Sequence, residues 1–466
     1  MNDCNPSHAR RPNERVAAPG PSLEQRLDAL KLDAGGLDRW IDELETRHAA
    51  VEDRILAFLP EPGRFARLRR EARALVERFP DPAARPCLFG LPIGVKDVFH
   101  VAGFKTHAGS KLPADKLTGP QAEVVTRLLN AGALVLGKVA CTELAYFGPG
   151  PTRNPHAPDH TPGGSSSGSA AAIAAGTAPI TLGTQTIGSV GRPAAFCGVV
   201  GFKPSYDRVP RAGLVPLASS VDHVGWFAPT ARDAALVARV LLTEAAPRLD
   251  LDLPDGEKPN GAPVLAVAAG PYLDHAAPAG KERFAAACEH LRRAGLRLVE
   301  AELPVEIERV ARLHRRLVAA EAFQAHGAWL DTHREALHPK TVTLLEDGRA
   351  VSDAVLGEAR ASRLAVRRVL EDGLRTLGAD LWLSPAAPGP APEGLSSTGD
   401  PIMNLPWTHA GLPTLVLPDR TPGTLPTGLQ IAGSFGADLS VLAWGERLEA
   451  LLERHPAQPG SSETSP

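Results

Sequence analysis

Cysteine, methionine and aromatic residues are scarce in this 466-residue chain, and neither sign of charge is in surplus. The five cysteines (Cys4, Cys87, Cys141, Cys197, Cys288) are far apart and form no Cys-x-x-Cys pair, which excludes a disulfide framework or a thiolate zinc cluster and fits a reducing, cytoplasmic setting. Lys and Arg total 50 against 53 Asp and Glu, a formal charge of −3, so no basic excess favours nucleic acid or an anionic membrane. Long apolar runs are missing too. The uncharged stretch from Ser165 to Val190 is built of Gly, Ala, Ser and Thr with Pro179 inside, too polar and broken to span a bilayer. Arg10 and Arg11 lead into Pro12, Asn13, Glu14 and Arg15 rather than an apolar core, so export is not expected.

What is there describes a folded globular protein. Hydrophobic residues make up 43% and charged residues 22%, and 44 Gly with 44 Pro imply many turns. Residues 1–21 and 457–466 read as flexible ends, and 22–456 as one domain. Within it, 22–79 reads as N-terminal helices opened by a capping box at Ser22 and Gln25, 80–235 as a core, and 303–377 as a helical flank. A helix, glycine, strand order occurs at Glu123–Leu136, Glu282–Val299 and Ser362–Leu383, which predicts an α/β fold: a large mixed, mostly parallel sheet with helices on both faces. The Pro- and Asp-rich segment Glu244–Pro263 reads as a surface loop.

Three segments carry candidate chemistry. In Gly90-Leu-Pro-Ile-Gly-Val-Lys96-Asp97-Val, a lysine ends a short apolar run; held among Ile93, Val95 and Val98 it would be desolvated, which favours the neutral amine and suits it as a base near pH 7, although Asp97 beside it would oppose this. Thr161-Pro-Gly-Gly-Ser165-Ser166-Ser167-Gly168-Ser169 abuts an alanine-rich helix former, where small side chains let backbone and hydroxyls crowd a reacting centre. The match to G-x-S-x-G within it is discounted, because a nucleophile elbow needs a preceding strand and Asn154–Pro162 holds three prolines. In Ile180-Thr-Leu-Gly-Thr-Gln-Thr-Ile-Gly188-Ser189-Val-Gly-Arg-Pro193, Ser189 follows a short strand in a glycine turn whose N–H groups could converge on one carbonyl.

In this order and spacing, Lys96, Ser165–Ser166 and Ser189 resemble the amidase signature family of serine hydrolases, over Pro80–Pro229 and again in Thr398-Gly-Asp400-Pro401, Asn404, Gly411-Leu-Pro413 and Pro426–Gln430. The resemblance implies the family fold and an acyl-enzyme amidase working on linear amides, with Ser189 as nucleophile, Ser165 as a bridging serine in a cis peptide after Gly164, and Lys96 as base. It also implies an oxyanion hole from the backbone of Thr186, Ile187, Gly188 and Ser189, with Ser166 in support. No cofactor and no metal are implied. The expected partner is a small-molecule amide, with no nucleic acid if the hydrolase reading holds, no membrane, and possibly a second copy of the chain. The alternative is the glutaminase (A-type) subunit of a tRNA-dependent amidotransferase. Gln185 and Gly191 stand where many members carry Asp and Arg, with Arg192 one position late, and Ser167 replaces a common glycine.

Other candidates are weaker. His156 and His160 have an i, i+4 spacing that suggests a metal, but Pro158 forbids the helix it needs. Cys141 reads as buried rather than nucleophilic. Tyr146, Phe147, Met403 and Trp407 are candidates for the substrate channel, and an idle-site binding protein is the remaining class.

Overall fold

The structure is a computed structural model and describes residues 22–242 and 261–453. The flexible ends expected at 1–21 and 457–466, and most of the Glu244–Pro263 loop, lie outside these residues. In chain order the strands are β1 (Pro92–Lys96), β2 (Leu134–Val139), β3 (Ile180–Gln185), β4 (Val200–Lys203), β5 (His223–Ala228), β6 (Val264–Ala269), β7 (Arg297–Glu302), β8 (Leu381–Pro385), β9 (Thr414–Asp419) and β10 (Thr427–Ala432). They form one sheet in the order β2-β1-β3-β5-β4-β9-β10-β8-β6-β7.

The sheet is mixed, but not mostly parallel. β1 pairs in parallel with β2 and β3, and β6 with β7 and β8. Across the centre, β3–β5, β5–β4, β4–β9, β9–β10 and β10–β8 are antiparallel. The reason lies in the connections. Helical crossovers such as Glu123–Asn130 and Pro278–Arg293 return the chain to run parallel, whereas the short link from Asp419 to Thr427 can only form a hairpin. Seven strands are buried along their whole length, as strands covered on both faces must be. The edge strand β7 alternates half-buried with exposed residues, and its charged Arg297, Glu300 and Glu302 discourage pairing with another chain.

Helices at the N-terminal side span Leu23–Leu32, Gly36–Ile55 and Arg64–Arg78. Ser22 accepts from the Gln25 N–H while Gln25 reaches back, closing the capping box before Leu23–Leu32. The flank contains Ile307–His326, Pro339–Arg349 and Asp353–Leu377, and Phe284, Cys288 and Leu291 face inward from Pro278–Arg293. Among the described residues no helix is long and apolar enough to cross a membrane.

One buried charge carrier sits at the end of β4. Lys203 is fully buried, its amine donates to the carbonyls of Pro204 and Leu412, and burial brings its pKa down to about 7. Two carbonyls match the two N–H bonds of a neutral amine. The unfolded lysine keeps its proton up to its ordinary value of 10.5, so between about pH 7 and 10.5 the unfolded state binds more protons and stability rises with pH. We therefore expect Lys203→Met to flatten the rise in urea midpoint between pH 7 and 9 relative to the parent protein. An unchanged slope would mean that Lys203 is charged in the folded state.

Candidate active site

β1 and β3 run parallel, with Val95 level with Leu182, so their C-terminal ends meet on one edge of the sheet. That edge is where open α/β sheets place their sites. Lys96 is the last residue of β1 and is fully buried. Its Nζ lies 2.8 Å from Ser165 Oγ, 3.0 Å from Ser166 Oγ and 2.7 Å from Thr184 Oγ1. Strand alternation turns the next residue away: Asp97 pairs with Lys138 at 2.8 Å and accepts from the His107 N–H. The carboxylate that threatened the base therefore belongs to another lysine. Burial brings the Lys96 pKa down to about 7, partly opposed by the more distant Asp222 and Cys141.

The hydrogen-bond inventory fits a neutral amine. Ser166 donates to the Thr184 carbonyl at 3.1 Å, so towards Lys96 it accepts. Thr184 can accept the second N–H, which leaves the nitrogen lone pair for the proton of Ser165. Gly183, between Leu182 and Thr184, permits this closeness: a Cβ there would stand 2.9 Å from Ser166 Oγ. The Ser165 segment is anchored from both sides. Its carbonyl accepts from Thr142 N, Gly168 N donates to Ala140, and the Gly164–Ser165 peptide is cis.

Beyond β3 the chain turns through Thr186–Ser189 into the helix Gly191–Cys197. Gln185 holds this turn without any cation. Its Oε1 accepts from Val190 N at 2.7 Å and Gly191 N at 2.8 Å, and its Nε2 donates to Thr408 Oγ1 at 2.8 Å. Thr408 in turn donates to the Ile187 carbonyl at 2.6 Å, and Thr186 Oγ1 to Asp222 at 2.6 Å. The Ser189 hydroxyl makes no hydrogen bond to a described residue. Arg192 reaches back to the Gly164 carbonyl at 2.5 Å and to Thr398 Oγ1 at 3.1 Å, tying this turn to the segment that carries Ser165. Gln185 and Gly191 are thus a matched pair. A Cβ at 191 would lie 2.5 Å from Asn404 Nδ2, which is itself tied to Ala386 and Gln430 and cannot yield. Gly191→Ala is expected to cost about 1–3 kcal/mol through overpacking, read as a lower denaturation midpoint; an unchanged midpoint would show that Asn404 can move.

A cavity of 230 Å³ opens beside the turn, lined by Tyr146, Phe147, Ile187, His314, Asp400 and Ile402 among others. Tyr146 and Phe147 therefore face an open cavity next to the Ser189 turn. Met403 and Trp407 do not line it. Both are fully buried in a satellite core with Tyr272 and Trp382, and the Met403 carbonyl accepts from Tyr272 and Trp407. The turn at Ile402–Asn404 and the helix Leu405–Ala410 rotate these side chains inward and present Ile402 and Leu405 to the cavity instead. His156 bonds the Cys197 carbonyl and His160 lies against Asp159, while burial holds the Cys141 thiol up at about 12. Among the described residues no three His, Cys, Asp or Glu side chains converge as a metal would need. Thr184, Thr408, Asp222 and His314 are the site residues that sequence reasoning missed. Thr184 alone had a signal, the strand alternation that places it on the face of β3 next to Lys96.

A buried lysine bonded to paired serine hydroxyls, beside a glycine turn bearing a further serine, on the edge of a mixed α/β sheet, defines an amide-hydrolase type of fold and site. The chain belongs to the amidase family, whose model matches residues 46–442. The A-type subunit of the glutamyl-tRNA(Gln) amidotransferase of Roseiflexus castenholzii is 33% identical over 90% of this chain and 93% of its own length. A crystal structure of an amidase superposes with a TM-score of 0.78 at 35% identity, covering 91% of this chain and 98% of that one. The corresponding A-type amidotransferase chain of Thermotoga maritima reaches 0.71 at 26% identity over 92% and 94%.

These relatives correct one expectation. An absence of nucleic-acid partners does not follow, since similar chains are subunits of an enzyme named for glutamyl-tRNA. A near-zero net charge argues only against a basic face on this chain. It says nothing of a partner that supplies one.

Proposed function

We propose that this protein breaks a carboxamide C–N bond through an acyl-enzyme on Ser189. The observation that carries the reading is Lys96: fully buried, without a carboxylate, and 2.8 Å from Ser165 Oγ. Neutral Lys96 takes the proton of Ser165, Ser165 takes that of Ser189 as the latter turns towards it, and the alkoxide attacks the amide carbonyl. The backbone N–H groups of Thr186, Ile187, Gly188 and Ser189 gather the developing oxyanion. Run backwards, the relay protonates the leaving nitrogen, which an amide requires because an amine anion departs too slowly. Water then releases the acid.

Of the two roles this chemistry serves, the A-type glutaminase subunit is supported by relatives matched over nine-tenths of the chain. Glutamine is then the amide, and the ammonia passes to a partner that amidates an aminoacyl-tRNA. The free-standing amidase is supported by the 35% identity to the amidase structure. Expressing the chain in its native host and measuring ammonia release from glutamine, alone and with copurified subunits, separates them. Turnover of glutamine only in the presence of partners upholds the subunit role. Turnover of aliphatic, aryl or peptide amides by the isolated chain, with glutamine inert, overturns it. We read the compartment as cytoplasmic, on cysteine usage alone.

A further inference from the structure

Behind the Ser189 turn lies a chain of polar groups that the relay above does not use. His314, on the helix Ile307–His326, places Nε2 3.0 Å from the Thr186 carbonyl and Nδ1 3.0 Å from His409 Nδ1. His409, on Leu405–Ala410, places Nε2 2.8 Å from Ser362 Oγ, on Asp353–Leu377. Both rings are buried, and burial keeps both neutral near pH 7, holding His314 at about 4 and His409 at about 2.

The proton positions follow from one end. A carbonyl only accepts, so His314 carries its hydrogen on Nε2 and its Nδ1 is a bare acceptor. His409 must then donate from Nδ1, which leaves its Nε2 to accept from the Ser362 hydroxyl, whose one proton turns to the ring instead of to the Ala359 carbonyl, also 2.8 Å away. Each bond fixes the next, and only one tautomer of each ring satisfies all three.

The far end of this chain grips the turn. The Thr186–Ile187 peptide is trans, so its carbonyl and the Ile187 N–H point in opposite directions from one rigid plane. Holding the Thr186 oxygen fixes the direction of the Ile187 N–H. Thr408 does the same for the next plane through the Ile187 carbonyl, setting the Gly188 N–H. The N–H groups of Ile187, Gly188 and Ser189 donate to no acceptor among the described residues, so they are free for a ligand.

We infer that His314 is a positioning residue for the oxyanion turn, and that His409 and Ser362 act behind it by locking the tautomer in which its Nε2 donates to Thr186. This rests on the acyl-enzyme reading. His314 also borders the substrate cavity, so the alternative is direct proton transfer by its ring.

The test is steady-state amide hydrolysis by the full chain, with the rate of Ser189 labelling by a fluorophosphonate as second readout. Removing one oxyanion donor typically costs about 10²–10³ in kcat; misaiming one is expected to cost about 10–100-fold. That drop should appear in kcat and in labelling for His314→Leu and His409→Leu, with KM held within about twofold. His314→Gln and His409→Asn keep an N–H donor in place and should recover most of it. Ser362→Val, at the outer end, should show a smaller fall in the same direction and serves if the histidine variants fold poorly. Wild-type kcat in His409→Leu or Ser362→Val overturns the relay. A His314→Gln variant as impaired as His314→Leu overturns positioning in favour of chemistry by the ring. Ser189→Ala separates the two levels: if it retains turnover, the acyl-enzyme reading fails, whereas if it is dead and the histidine variants are normal, only this inference does.

Discussion

Ser189→Ala is expected to abolish amide turnover and to leave the protein folded. Loss of a serine nucleophile in a hydrolase costs on the order of 10⁴–10⁶ in kcat, the remainder coming from binding and oxyanion stabilisation. The stability effect is expected within about 0.5 kcal/mol, because the Ser189 hydroxyl bonds to no described residue and the site is already small. Ser165→Ala should also be slow, but for a different reason: it removes both the proposed acceptor for Ser189 and a partner of Lys96. The two variants part company in a rapid-mixing experiment with an activated ester or anilide. The parent protein releases a burst of leaving group equal to its active sites. Ser165→Ala should still acylate, slowly, and Ser189→Ala should show no acylation at all. An undiminished burst in Ser189→Ala would show that another group attacks the carbonyl.

Much of this site was legible in the sequence, for a physical reason: the groups proposed to do chemistry sit in short segments whose local composition is unlike scaffold. Lys96 ends an apolar strand, Ser165 and Ser166 fall in a glycine-rich run, and Ser189 follows a strand in a glycine turn; the fold brings the first three into hydrogen-bond contact. What the sequence hid depends on tertiary approach. His314 and Ser362 lie on amphipathic helices of the 303–377 flank, where each looks like any residue on a helix face, and only helix packing turns them onto His409 and the Thr186 carbonyl. Met403 and Trp407 lie in the core while their near neighbours Ile402 and Leu405 line the cavity, and helix boundaries are not readable from sequence to that accuracy. The sheet was misread as mostly parallel because helix, glycine, strand units suggest parallel pairs, whereas β4, β5 and β9 pair antiparallel across its centre. The departures at Gln185 and Gly191 are the reverse case. Gln185 satisfies the turn with an amide where a carboxylate would need a counter-ion.

Lys96→Met is expected to lower kcat/KM by about 10²–10⁴, the range of a lost general base, and to change the shape of the pH profile as well as its height. The sign follows from the charge. Only the neutral amine can accept a proton, so activity in the parent should rise with pH through an inflection near the lysine's pKa of about 7 and then level off. Burial without a counter-ion is what moves that inflection down from the ordinary 10.5: the protonated form loses its hydration and meets hydroxyls instead of a carboxylate. In Lys96→Met the inflection disappears, and the residual rate rises only with hydroxide. Asp222, at about 6, and Lys203, at about 7, stay in place in that variant, so an inflection that persisted near 7 would have to be assigned to such a group instead of Lys96. Adding a carboxylate partner supplies the complementary experiment. Thr184→Asp places an acid where Thr184 Oγ1 now stands 2.7 Å from Nζ, which would hold the lysine charged, push the inflection up by several pH units and suppress activity at neutral pH. Full activity of Thr184→Asp at pH 7 would mean that the reaction proceeds with a charged lysine, and the proton relay through Ser165 would have to start from a different base.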